Sequence, residues 1–144
     1  MTTPVTYVLQ FRGQAERSGE VAHATSRAPS TMLVSVVDRD GPHGHFEEVG
    51  ASEALYRVRL DEPGPVEGEI DFGGGNALLV RSAKREAPQR AAAPHLRHGA
   101  ALLEVVGGTG RLASATGWIA SNFLLSDSGD LTDNHLGLLF LKRP

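Results

Sequence analysis

The sequence predicts an all-β protein: a single domain over residues 1–144 folded as a small antiparallel β-barrel of about eight strands. Three observations carry this. Short runs with period-two patterning or β-branched and aromatic enrichment recur along the whole chain. The 17 glycines among 144 residues separate these runs instead of gathering in one linker. No long segment holds a helical period. Eight strands that close on themselves remove exposed edges and leave an interior sized for side chains or one small ligand.

Taken in order, residues 5–11 form the first apolar run and residues 31–37 the second. In residues 54–60, Tyr56, Val58 and Leu60 alternate with Arg57 and Arg59, so one face is apolar and the other carries guanidinium groups. Residues 66–72 repeat the alternation, with Val66, Ile70 and Phe72 opposed to Glu67, Glu69 and Asp71. The intervening Asp61-Glu-Pro-Gly-Pro65 reads as a turn, making a hairpin in which arginines face carboxylates. Residues 76–82 add a fifth strand. Residues 84–96 read as a short helical turn or a loop, because Ala91-Ala-Ala93 favours helix while Pro88 and Pro94 bracket it. Residues 100–106, 118–125 and 135–141 complete the set, the last two joined at Asp127-Ser-Gly-Asp130. Residues 19–25 and 45–49 are weaker candidates for a ninth strand.

Composition excludes several classes of function. Fourteen Lys and Arg against seventeen Asp and Glu give a net charge of −3 with both signs scattered, which disfavours nucleic acid and anionic membranes. The longest apolar stretches fall well short of the roughly 20 residues that cross a bilayer. Met1-Thr-Thr-Pro4 leads directly into the first strand without a secretory leader, so the expected location is cytoplasmic. The absence of cysteine removes disulfides, thiolate catalysis and sulfur-ligated zinc.

Gly108-x-Gly110-x-x-Ala113 after an apolar strand formally satisfies the dinucleotide fingerprint. That motif needs a helix to receive pyrophosphate, whereas Ser114-Ala-Thr-Gly117-Trp-Ile119 favours another strand. The string reads better as a glycine-rich turn, and no cofactor is expected. His43-x-His45 with Glu47 or Glu48, and His95 with His98, are incomplete ligand sets, so no metal is expected. Elbow, Walker, zincin and EF-hand signatures do not occur.

The eleven residues Gly107-Gly-Thr-Gly-Arg-Leu-Ala-Ser-Ala-Thr-Gly117 resemble the glycine-rich hairpin of the allene oxide cyclase-like and dirigent-like barrels. The order of the flanking strands extends the likeness loosely over residues 66–141. Leu112 stands where an aromatic is common and Ser114-Ala115 where Gly-Ala is common. None of the allene oxide cyclase active-site residues maps onto this chain. The resemblance implies a calycin-type barrel with a cavity for an apolar substrate. The function expected on this basis is that of a cyclase or isomerase, enclosing a polyketide- or fatty-acid-like molecule and promoting ring closure. The alternative is a non-catalytic, lipocalin-like binder of an apolar small molecule. Such an enzyme can act without a triad, since orientation alone removes roughly 7–11 kcal/mol from a barrier.

Candidate site residues come from the strand patterns. Glu104, Asn122 and His135 are the polar exceptions on apolar runs and the candidate catalytic groups. Tyr56, Phe72 and Trp118 are candidate substrate-binding walls. Residues 118–125 and 135–141 are apolar on both faces, which predicts a barrel interior on one side and a subunit interface on the other. A homo-oligomer, dimer or trimer, is therefore expected.

Overall fold

The computed structural model describes residues 2–19, 21–61 and 66–142. Nine strands follow in order: β1 (Thr2–Ser18), β2 (Val21–Asp38), β3 (Gly41–Asp61), β4 (Val66–Asp71), β5 (Ala77–Arg85), β6 (Gln89–Arg90), β7 (Leu96–Thr109), β8 (Thr116–Ser126) and β9 (Asp130–Lys142). All pairings are antiparallel, in the order β5-β4-β3-β2-β1-β9-β8-β7, and β5 pairs back onto β7 to close an eight-stranded barrel. The two-residue β6 lies outside the ring, paired to the start of β7.

The eight predicted runs all lie in barrel strands, and the structure lengthens several of them. Residues 21–25 and 45–48 join β2 and β3 and do not form a ninth strand. β3 pairs with β4 only through Leu55–Leu60, so its first half, Gly41–Glu48, continues as an arm held by β2. Arg111 reaches this arm through Glu47 at 3.2 Å. The segment between β5 and β7 forms β6 and turns where a short helix was one expectation: its two prolines leave too few consecutive N–H donors. The helical turn instead occupies Gly110–Leu112, as a single 3-10 turn in the β7–β8 hairpin. The Asp127–Asp130 hairpin forms as expected, with the Gly129 N–H donating to the Ser126 carbonyl at 3.1 Å. Residues 62–65 of the other expected hairpin turn lie outside the described residues, as do the side chains of Leu60 and Asp61, but its strands pair in register and bring Arg57 within 3.8 Å of Glu69.

Alternation along each strand sends one set of side chains inward. Tyr7, Phe11, Tyr56, Ile70, Phe72, Leu78, Leu103 and Ile119 are buried and form the core. An eight-stranded ring leaves an interior that such side chains fill. The open lumen expected from the sequence is therefore corrected. The two concavities of note, about 360 and 220 Å³, are shallow grooves lined largely by outward residues of the wall.

Candidate functional site

The barrel interior holds a polar chain among aromatic rings. β9 places Asp133, His135, Gly137 and Leu139 inward, and β8 places Ser121 directly opposite His135. Spacing by two puts Asp133 and His135 on the same face. His135 Nε2 lies 3.1 Å from Asp133 Oδ2, and Ser121 Oγ donates to Asp133 Oδ1 at 2.6 Å. Both carboxylate oxygens thus have a partner, which a buried carboxylate requires. With Asp133 as acceptor, Nε2 is the donor of this contact, and Nδ1 is the ring nitrogen that the contact leaves unused. Nδ1 is buried and, among the described residues, has no hydrogen-bond partner.

Rings enclose the imidazole. Phe11 lies 4.8 Å and Tyr56 4.9 Å from His135, centroid to centroid, and Phe11 packs on Tyr56 at 5.6 Å. Tyr7 on β1 stands opposite Gly137 on β9, and its ring occupies the space a side chain at 137 would need. Among the described residues, the Tyr7 hydroxyl and Ser26 Oγ are also buried polar atoms without a partner. Burial pushes the Tyr7 phenol well above its ordinary range, and burial, the charge of Asp133 and the neighbouring Tyr7 do the same to Tyr56. Both phenols remain proton donors wherever the protein is folded at neutral pH.

Of the sequence candidates, His135, Tyr56 and Phe72 lie in the interior. The other three do not. Glu104, expected as a catalytic group, is on the outer wall, its side chain 45% exposed and 3.9 Å from Arg81, and does not reach the interior. Asn122 is exposed in the register row Gln10, Asn134, Asn122. Trp118 also faces outward and walls no lumen. The reason is strand parity: Ile119 and Ser121 turn inward on β8, which sends Trp118, Ala120 and Asn122 out. Sequence reasoning missed Tyr7, Ser26, Ser121 and Asp133. Asp133 carries a usable signal, because it shares parity with His135, Gly137, Leu139 and Leu141, but it lies between the Asp127–Asp130 turn and the start of the apolar run at residue 135.

The Gly108-x-Gly110-x-x-Ala113 string makes the β7–β8 connection and leads through its 3-10 turn into strand, with no α-helix to receive a pyrophosphate. Among the described residues, no group of three or more His, Cys, Asp or Glu is arranged to hold a metal ion, and no helix is long and apolar enough to cross a membrane.

Fold and site together define a closed antiparallel eight-stranded β-barrel with a buried Ser–Asp–His chain in its aromatic interior. Neither a family model, nor a curated protein, nor a solved structure matches the chain.

Proposed function

We propose that the protein is an isomerase or cyclase that moves a proton on an apolar small molecule of polyketide or fatty-acid type inside the barrel, with His135 as the base. The observation that carries this is the buried Nδ1 of His135, which has no partner among the described residues, its imidazole oriented from behind by Asp133 in a ring-lined interior. An oriented imidazole with one free nitrogen is the arrangement general-base catalysis needs. Leaving such a nitrogen buried and unpaired costs about 1–3 kcal/mol, a cost that a functional role accounts for. Nδ1 would take a proton from carbon and return it at another position, so the product is an isomer of unchanged mass. The Tyr56 phenol, held protonated on a ring 4.9 Å from that of His135, is the donor available to a developing oxyanion. Tyr7 is the side chain that must swing aside to admit substrate, because its ring covers the surface left bare at Gly137. The likeness of residues 107–117 to cyclase barrels supports the same reading, as does the hydrophobic lining of the interior.

A second reading is favoured by the filling of the lumen, which suits a barrel whose interior is only a structural core. Incubation with linear polyketide-type β-diketones and conjugated polyenes, followed by chromatography and mass spectrometry, separates the readings. Catalysis gives isomers of unchanged mass with the wild type and none with His135→Asn. Retention of unchanged compound on the protein identifies a lipocalin-like binder, and neither turnover nor retention identifies a structural core.

A further inference from the structure

The outer wall of the barrel is divided into two unlike halves. Across β3, β4 and β5 it is a lattice of opposite charges: Arg59, Glu67 and Arg81 stand side by side in register, as do Arg57 and Glu69. Across β2, β1, β9, β8 and β7 one stretch of it is apolar, bordered by Arg12 and Arg27 at one end and by Glu104, the register partner of Trp118, at the other. One lateral row runs Phe46, Leu33, Val8, Leu136, Ala120, Leu102, each residue the register partner of the next. Phe46 is 76%, Leu136 54% and Val8 47% exposed. Leu138 and Trp118 extend the patch into the adjacent row, with Trp118 43% exposed.

We propose that this wall is the docking surface for a second copy of the same chain. Val8, Leu136, Leu138 and Trp118 lie on the three neighbouring strands β1, β9 and β8 and form a contiguous exposed apolar patch of the kind that marks an interaction site, and a standard interface of about 800 Å² per partner would draw on the rows beside it as well. Charge decides the occupant. The row itself carries no charge, so a second copy can dock on it in a two-fold arrangement without burying an unpaired ion. β8 carries no ionisable side chain from Thr116 to Ser126, and the polar row beside the patch is made of the amides Gln10, Asn134 and Asn122. Amides donate and accept, so they pair with their own kind. The row itself offers no charge to an acidic or basic partner; charges stand only at its margin, at Glu104 and Lys84. Encirclement by lipid conflicts with the charge lattice on the opposite wall, since each Arg facing a bilayer midplane costs about 2–4 kcal/mol. At the centre of the patch β1, β9 and β8 are paired on both sides, so contact there is made by side chains, face to face.

Sedimentation of the wild type at up to about 100 μM, above the micromolar Kd at the weak end for interfaces of this size, measures the mass directly. The expected mass is twice the 15.3 kDa of one chain. Leu136→Glu is expected to sediment as a monomer with an unchanged far-UV spectrum, and Leu79→Glu, on the charged half, to keep the wild-type mass. Trp118 is the sole tryptophan, so the Leu136→Glu monomer should also emit further to the red and be more readily quenched by iodide. A wild type that is monomeric throughout overturns the proposal, as does a folded Leu136→Glu variant that keeps the double mass. Flotation of a monomeric chain with neutral phosphatidylcholine vesicles overturns it as well, by assigning the face to lipid. If Leu136→Glu does not fold, the wild type decides: its mass must be double, and iodide must reach Trp118 less readily than in the urea-unfolded chain.

Discussion

His135 and Asp133, two residues apart on one strand, meet through Nε2 and Oδ2 at 3.1 Å with both side chains shut away from water. The contact is local in sequence, but the barrel makes it matter. Ser121 from the neighbouring strand takes the second carboxylate oxygen, and the rings of Phe11 and Tyr56 exclude solvent.

Removing the carboxylate strands its partners. Asp133→Ala leaves the Ser121 hydroxyl and His135 Nε2 buried without acceptors, and a loss of about 2–4 kcal/mol is expected in urea denaturation. Asp133→Asn keeps one acceptor oxygen and should lose less. A loss below about 0.5 kcal/mol for Asp133→Ala would mean that the chain contributes nothing to folding.

The two tyrosines of the chain, Tyr7 and Tyr56, both have phenol pKa values raised by burial. A raised folded-state value favours the protonated native form, so its stabilising effect is complete below the unfolded value of about 10 and is lost as pH rises from there through the folded value. Each tyrosine then contributes up to about 1.4 kcal/mol of destabilisation per pH unit. The absorbance of tyrosinate near 295 nm should stay flat past pH 10 and rise together with loss of the far-UV signal. An early rise in folded protein would show that a ring is open to solvent.

Tyr7 and Gly137 are coupled by contact. A Cβ at 137 would lie 2.1 Å from Tyr7 Cε1, so Gly137→Ala must displace the ring and is expected to cost about 1–3 kcal/mol. In a Tyr7→Ala background the same substitution should cost much less, giving a coupling above about 1 kcal/mol in a double-mutant cycle. Additive effects would show that the ring is not seated on Gly137. Tyr7→Phe removes an unpartnered hydroxyl and should be neutral or stabilising.

The glycine-rich hairpin is uneven in its demands. Gly117 has φ +135°, and a Cβ there would lie 2.0 Å from the Leu138 carbonyl oxygen on β9, so Gly117→Ala is expected to cost about 2 kcal/mol or more. The nearest atom to a Cβ at Gly107 is 3.6 Å away, and Gly107→Ala should change stability by less than about 0.5 kcal/mol. Thermal melting of the two variants checks the contrast.

Alternation made most of the fold legible. Tyr56 and Val58 against Arg57 and Arg59 specify a strand with one wet face, and the matching carboxylates on β4 specify its partner. Where both faces are apolar, as on β8, alternation gives the strand but not its inward side. That is why Trp118 and Asn122 were assigned to a lumen they do not face. Glu104 was misplaced for a related reason. A charged residue in an apolar run looks like a buried exception until Arg81 is seen beside it on the next strand. His135 fell on the correct side, yet its partner Asp133 was hidden in a segment that reads equally well as a turn.

The order and kind of the strands, the turns between them and the charged half of the wall follow from residue pattern alone, because a period of two and the chemistry of glycine and proline act within a few neighbouring residues. Closure of β5 on β7, the parity of β8 and the burial of the Ser121–Asp133–His135 chain depend on segments far apart in sequence. Only the folded barrel decides them, since burial is a property of what packs around a side chain.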